Sequence, residues 1–181
     1  MVAWQEGEPT VKNVYVKRWD GTAWQLAGTG FLNVSAIRDA VVPSLALDLS
    51  GNPVVAWEEY DLVTQNIFVK RLNGTAWQLV GTTSLNVNPS RGVNSPSLKL
   101  DSSGKPIVAW NEEDGTSQNI YVKRWDANAW QPMGSGFLDA NVNQPAFSPS
   151  LALDTTSGNP SVAWFEYDGS SFNVYVSRFK P

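Results

Sequence analysis

The side chains of this sequence that could do chemistry are carboxylates set beside an indole. Four times the chain reads Trp-x-Glu-x-acid: Trp4, Glu6 and Glu8; Trp57, Glu59 and Asp61; Trp110, Glu112 and Asp114; Trp164, Glu166 and Asp168. Two carboxylates can serve as acid and base, or acid and nucleophile, on a glycosidic bond. Beside an aromatic they can instead hydrogen-bond the hydroxyls of a sugar whose C–H face stacks on the ring. Oxygen ligands also suit calcium, and the turn at Asp48, Ser50 and Asn52 is superficially like a ligand loop. Its spacing is too short for an EF-hand, and its side chains are expected to bond their own backbone. No metal site and no cofactor are expected.

The rest of the composition narrows the chemistry. Histidine and cysteine are both absent, which removes the commonest general base, thiol nucleophiles, disulfides and thiolate metal sites. Serine-protease-like and zinc-hydrolase mechanisms are therefore disfavoured. Net charge is −4, and Lys and Arg fall about once per repeat, so no basic stripe exists to follow a phosphate backbone and no nucleic-acid partner is expected. No apolar run approaches the roughly 18 residues of a membrane span, and Met1 is followed directly by strand-like Val-Ala-Trp without a basic and apolar leader, so no membrane partner is expected either.

The elements that must position these carboxylates follow from a repeat. The four tryptophans are separated by 53, 53 and 54 residues, and an Asn follows each by nine, at Asn13, Asn66, Asn119 and Asn173. In the second copy Pro43–Leu47 is a short apolar strand A, and Asp48–Pro53 is a Gly/Asn/Pro turn. Val54–Glu59 is a β-branched and aromatic strand B, Asn66–Leu72 an alternating strand C, and Asn73-Gly74 a hairpin turn into strand D at Trp77–Gly81. A crossover of about fourteen residues leads to the next strand A. Turn residues at such short intervals leave no stretch for a helix. Four antiparallel strands and one long crossover, repeated near every 50 residues, make the blade of a β-propeller. The fold class is all-β, with partial blades over 2–28 and 149–179 and complete ones over 43–81 and 96–134. The chain begins in strand B and ends after strand C, giving fourteen strands and two incomplete blades. Unpaired edges of this kind call for a partner. A two-fold dimer closing an eight-bladed ring is the expected one, against a monomeric four-bladed ring or a fragment of a longer propeller.

Arg18, Arg71, Arg124 and Arg178 recur in strand C as faithfully as the tryptophans recur in strand B. Hairpin pairing is expected to set each Arg near its Trp and diagonal to its first Glu (Glu6, Glu59, Glu112, Glu166), forming a structural cluster that locks the blade. The second acid of each motif (Glu8, Asp61, Asp114, Asp168) falls in the B–C loop. In a propeller that loop shares a face with the crossover carrying Arg38 and Arg91, so these six are the candidate ligand-binding residues, with carbohydrate as the candidate ligand.

Three phrases, Pro-Ser-Leu-Ala-Leu-Asp (43–48), Ser-Gly-Asn-Pro-Val-Val-Ala-Trp-Glu-Glu (50–59) and Asn-Ile-Tyr-Val-Lys-Arg-Trp (119–125), resemble tandem β-propeller repeats of large bacterial surface or secreted proteins of undefined function. That resemblance covers nearly the whole chain and implies a propeller of bacterial, exported origin. The turn Trp19-Asp20-Gly21-Thr22-Ala23-Trp24 is more weakly similar to the small fucose-binding propeller lectins. Their sugar site sets an Arg on one strand and a Glu on the next. Here Arg and Glu occupy different strand positions, so those binding residues are not carried over.

Equal carboxylates in equal settings argue against catalysis, which needs unlike pKa values in an asymmetric site. The expectation is a non-catalytic scaffold or interaction propeller, not an enzyme, whose near-identical copies also fit a fragment, a recently amplified repeat or a designed one. A multivalent glycan-binding propeller is the alternative. A carboxylate glycosidase is the second alternative.

Overall fold

The computed structural model describes residues 1–7, 10–154 and 156–180. Glu8, one of the candidate loop acids, lies outside them. The described residues form fourteen strands in four antiparallel sheets and no helix. Blade 1 holds β1 (Val2–Glu6), β2 (Asn13–Trp19) and β3 (Trp24–Leu26). Blade 2 holds β4 (Ala40–Leu47), β5 (Pro53–Tyr60), β6 (Gln65–Asn73) and β7 (Ala76–Leu79). Blade 3 holds β8 (Val93–Leu100), β9 (Pro106–Glu113), β10 (Gln118–Trp125) and β11 (Trp130–Pro132). Blade 4 holds β12 (Ala146–Leu153), β13 (Pro160–Tyr167) and β14 (Phe172–Arg178). In each sheet the strands follow chain order, as a meander of hairpins requires.

The blades stack face to face because each strand pair is apolar on both sides. Between blades 1 and 2, Val14 and Val16 pack against Trp57. Ile67 and Val69 meet Trp110 at the next seam, and Ile120 and Val122 meet Trp164 at the third. The indole of each blade therefore always faces the blade before it. A second contact repeats at the outer edge, where Trp77 Nε1 donates to the Ala27 carbonyl and Trp130 Nε1 to that of Val80, at 3.1 and 2.9 Å. Gly28 makes the first approach possible: its φ is +79°, and a Cβ there would sit 2.7 Å from Trp77 Nε1 and from Leu72 Cδ1.

Each first strand of a complete edge carries a β-bulge, between Val41 and Ser44, Asn94 and Ser97, and Phe147 and Ser150. At its centre a non-glycine residue takes positive φ: Val42 at 50°, Ser95 at 58° and Ser148 at 49°. Such a conformation is strained for a β-branched residue. What it achieves is a re-aimed N–H. Val42, Ser95 and Ser148 donate backward to Gln5 Oε1 (2.6 Å), Glu58 Oε1 (2.7 Å) and Asn111 Oδ1 (3.4 Å), the side chains that directly follow the strand-B tryptophans.

The arginines are not part of the tryptophan cluster, which corrects the expected grouping of Arg18, Arg71, Arg124 and Arg178 with Trp and Glu. Trp57 stands opposite Phe68, and Trp110 opposite Tyr121. Successive side chains alternate between faces, so the residue two further on shares the indole's face and the one three further on does not. That places lysine at the ring: Lys17, Lys70 and Lys123 hold Nζ 5.5, 5.8 and 5.6 Å from the ring centroids of Trp4, Trp57 and Trp110. The arginines point the other way and secure A–B turns, Arg71 on the Gly104 carbonyl, Arg124 on Asp101 and Arg178 on Asp154.

Candidate functional site

The first glutamate of each motif is committed to the seam. Glu59 accepts hydrogen bonds from Trp57 Nε1 (2.9 Å) and from the backbone N–H groups of Val34 and Ser35 in the preceding crossover (both 2.7 Å). Glu112 does the same for Trp110, Val87 and Asn88, and Glu166 for Trp164, Ala140 and Asn141. Each carboxylate is buried and ties a crossover to the next blade. Glu6 accepts Trp4 Nε1 at 2.9 Å on the outward face of blade 1 and is exposed.

The second acids build their own loops. Asp61 Oδ1 accepts the N–H groups of Val63 and Thr64, and its Oδ2 accepts Asn66 Nδ2. Asp114 and Asp168 repeat the pattern with Thr116, Ser117 and Asn119, and with Ser170, Ser171 and Asn173. Hydrogen bonding to the charged form holds all three well below the usual carboxylate range. This also explains the Asn nine residues after Trp57, Trp110 and Trp164. Arg91 reaches Glu113, with Nη1 3.8 Å from Oε1. Arg38 contributes its carbonyl, which accepts Asn33 Nδ2 at 2.8 Å. The three described acids thus lie on three separate blades and turn inward on their own loops.

A different constellation forms where the repeats disagree. The residue after the strand-B tryptophan is Gln5, Glu58, Asn111 and Phe165 in turn. Glu58 is only 5% exposed and lines a cleft of about 410 Å³ with Asp39, Val41, Tyr60 and Gln65. Two of these residues also touch blade 3: the Ser95 N–H bonds Glu58, and Gly92 lies beside Gln65. Burial pushes the Glu58 carboxyl above its ordinary value, and the one N–H from Ser95 offsets only part of that. Asp39 is exposed at the rim, where its Oδ1 accepts the Lys12 N–H at 2.8 Å. Val41 stands opposite Glu58, and the Tyr60 N–H bonds the Asp39 carbonyl at 3.0 Å. Asp39 and Glu58 are thus diagonal in register, the Asp39 carboxylate turned to Lys12 beside blade 1 and that of Glu58 to Ser95 in blade 3. At the matching positions blade 3 has Gly92 and Asn111, while blade 4 has Pro145 and Phe165 amid a cluster with Phe147, Tyr167 and Phe172.

Asp139 is the second carboxyl that repeat agreement concealed. Asn33 and Asn86 occupy its place in the earlier crossovers, where Oδ1 accepts a strand N–H and Nδ2 donates to two carbonyls. Asp139 keeps the first bond, from the Ile120 N–H at 2.8 Å, but its buried Oδ2 has no partner. Burial, with the charges of Glu166 and Asp114 nearby, pushes this carboxyl up to about 7.

No protein-family model and no curated protein matches the sequence. Solved structures do match the fold. An endo-arabinase from Bacteroides thetaiotaomicron aligns at TM-score 0.56 and 13% identity, covering 94% of this chain and 66% of the enzyme. An endo-1,4-β-xylanase from the same organism aligns at TM-score 0.51 and 10% identity, covering 93% and 67%. A fucose lectin from Kordia zhangzhouensis aligns at TM-score 0.44 and 17% identity, covering 74% and 96%, a likeness too low to build on. The chain spans about two thirds of the length of either enzyme. At these identities the likeness establishes the β-propeller. The expectation of a non-catalytic scaffold or interaction module is corrected by these matches, because the fold is shared with enzymes that cleave glycans. Its premise of equivalent blades also fails at the Glu58 cleft.

Proposed function

We propose that the chain is the glycan-cleaving propeller of a glycoside hydrolase, acting outside the cell, with its site in the Glu58 cleft of blade 2. The observation that carries this reading is two unlike acidic residues lining one cleft: Glu58, buried and raised, and Asp39, exposed at the rim. The Cα atoms of diagonal neighbours across an antiparallel pair lie about 7–8 Å apart, and the turn of each side chain sets the gap between their carboxyls. Inverting glycosidases hold their two carboxyls about 6.5–9.5 Å apart, leaving room for a water. In that scheme Glu58 gives its proton to the departing glycosidic oxygen. Asp39 takes a proton from the water that attacks the anomeric carbon on the opposite face as the carbon–oxygen bond breaks. Tyr60 and Gln65 flank the two groups and are suited to stack on a sugar ring and to bond its hydroxyls. A second copy of the chain is the partner that completes the ring, and one copy carries both carboxyls.

The test is turnover on arabinan, β-1,4-xylan and aryl glycosides, with the anomer of the first product followed by NMR. Inverted product, and a loss of about 10²–10⁴-fold in Glu58→Gln, support the assignment. Turnover that Glu58→Gln leaves unchanged overturns it, as does saturable binding with no turnover on any of them.

A further inference from the structure

The three internal seams define what each blade face is for, and two such faces are unfilled. The valine pair on the forward face of strand C is covered in every blade that has a successor: Val14 and Val16 are 0 and 1% exposed, and Ile120 and Val122 are 0 and 2%. The same positions in blade 4, Val174 and Val176, are 77 and 68% exposed. On the backward face, Trp57 and Trp110 are fully buried against the preceding blade. Trp4 is only half-buried and forms, with Val2, Glu6, Lys17 and Trp24, an open concavity of about 370 Å³.

Polar groups show the same mismatch. Lys70 Nζ donates to the carbonyls of Leu32 and Asn33, and Lys123 Nζ to those of Leu85 and Asn86, all on the preceding blade. Lys17 lies over its own indole in the same way, with its ammonium turned toward the open side. Blade 1 thus presents an indole and a cation made to dock on a blade behind it, and blade 4 presents the valine face such an indole docks on.

We propose that these faces are the two halves of one interblade seam, and that a second copy of this chain joins them tail to head, Val174 and Val176 of one copy receiving Trp4 of the other. The same patch pair used twice closes under two-fold symmetry into a ring of two chains. This goes beyond the glycan site, since the seam lies at the outer faces of blades 1 and 4 and its test reads mass rather than turnover.

Light scattering on the full chain should give twice its 19.8 kDa mass. Val174→Asp with Val176→Asp changes side chains that support no internal seam, so its circular dichroism should match the parent while its mass falls to one chain. Trp4→Ala should do the same. Because each variant keeps the face the other has lost, mixing the two should restore a two-chain species through a single seam. A parent chain of single mass overturns the proposal. So does a dimer that the Val174/Val176 variant leaves intact, or a Trp4→Ala chain that dimerises alone, which would mean like faces pair.

Discussion

Glu58 and Glu59 are adjacent in sequence and point to opposite faces of one strand, which gives them opposite roles. Glu59 faces blade 1 and accepts three hydrogen bonds; Glu58 faces blade 3 and accepts one. If Glu58 is the acid, activity requires its protonated form, so the rate should fall as pH rises through its raised pKa. Glu58→Gln should abolish that alkaline limb together with turnover, while Tyr60→Phe should keep the limb and change KM. Asp139 predicts a separate pH effect. Its folded pKa of about 7 lies above its ordinary 3.8, so the stability tied to its neutral form is complete below about pH 4 and is lost as pH rises through 7. Asp139→Asn restores the amide of the earlier crossovers. Melting temperatures at pH 5 and 8 should therefore differ less in that variant than in the parent. Agreement among repeats hides both residues in the sequence. Agreement marks what every seam needs, as Glu59, Glu112 and Glu166 demonstrate, whereas Gln5, Glu58, Asn111 and Phe165 mark where blades are free to differ. That signal was present in the sequence.

The strands themselves were legible to within a few residues, since turn punctuation and alternating apolar positions are local properties. Two features were not. The β-bulges at Val42, Ser95 and Ser148 arise from the need to aim an N–H at the previous blade, a tertiary demand with no local sequence cost visible in Val or Ser. The face of the arginines depends on the exact pairing of Trp57 opposite Phe68, which hairpin position alone does not fix. Close packing between blades yields a prediction that separates two kinds of glycine. Gly30 has φ +69° with open space where a Cβ would sit, whereas Gly28 has φ +79° and would collide with Trp77 and Leu72. Both Ala substitutions carry the backbone penalty, and Gly28→Ala should add about 1–3 kcal/mol of overpacking. Urea denaturation of the two variants measures the difference, and equal losses would mean the Trp77 contact is slack.

At the scale of the molecule, stability passes from blade to blade through nearest-neighbour seams, so a blade with one filled face is the weaker one. Amides of β1, β2 and β14 should exchange with solvent faster than those of β5 and β9, and the difference should shrink as protein concentration rises if the outer faces meet. Exchange rates independent of concentration would leave blades 1 and 4 as true ends. The direction of the seam bonds has one further consequence, for biosynthesis. The bonds that fasten a crossover to the next blade come from later residues: Glu59 holds Ser35, Lys70 holds Leu32 across 38 positions, and Trp77 holds Ala27 across 50. At about 5–20 residues per second, a ribosome takes roughly 3–10 s to release the residues that lock what it has already made. During that interval the newest blade stands open beside a growing chain whose other copies, on the same message, carry the same unlatched face.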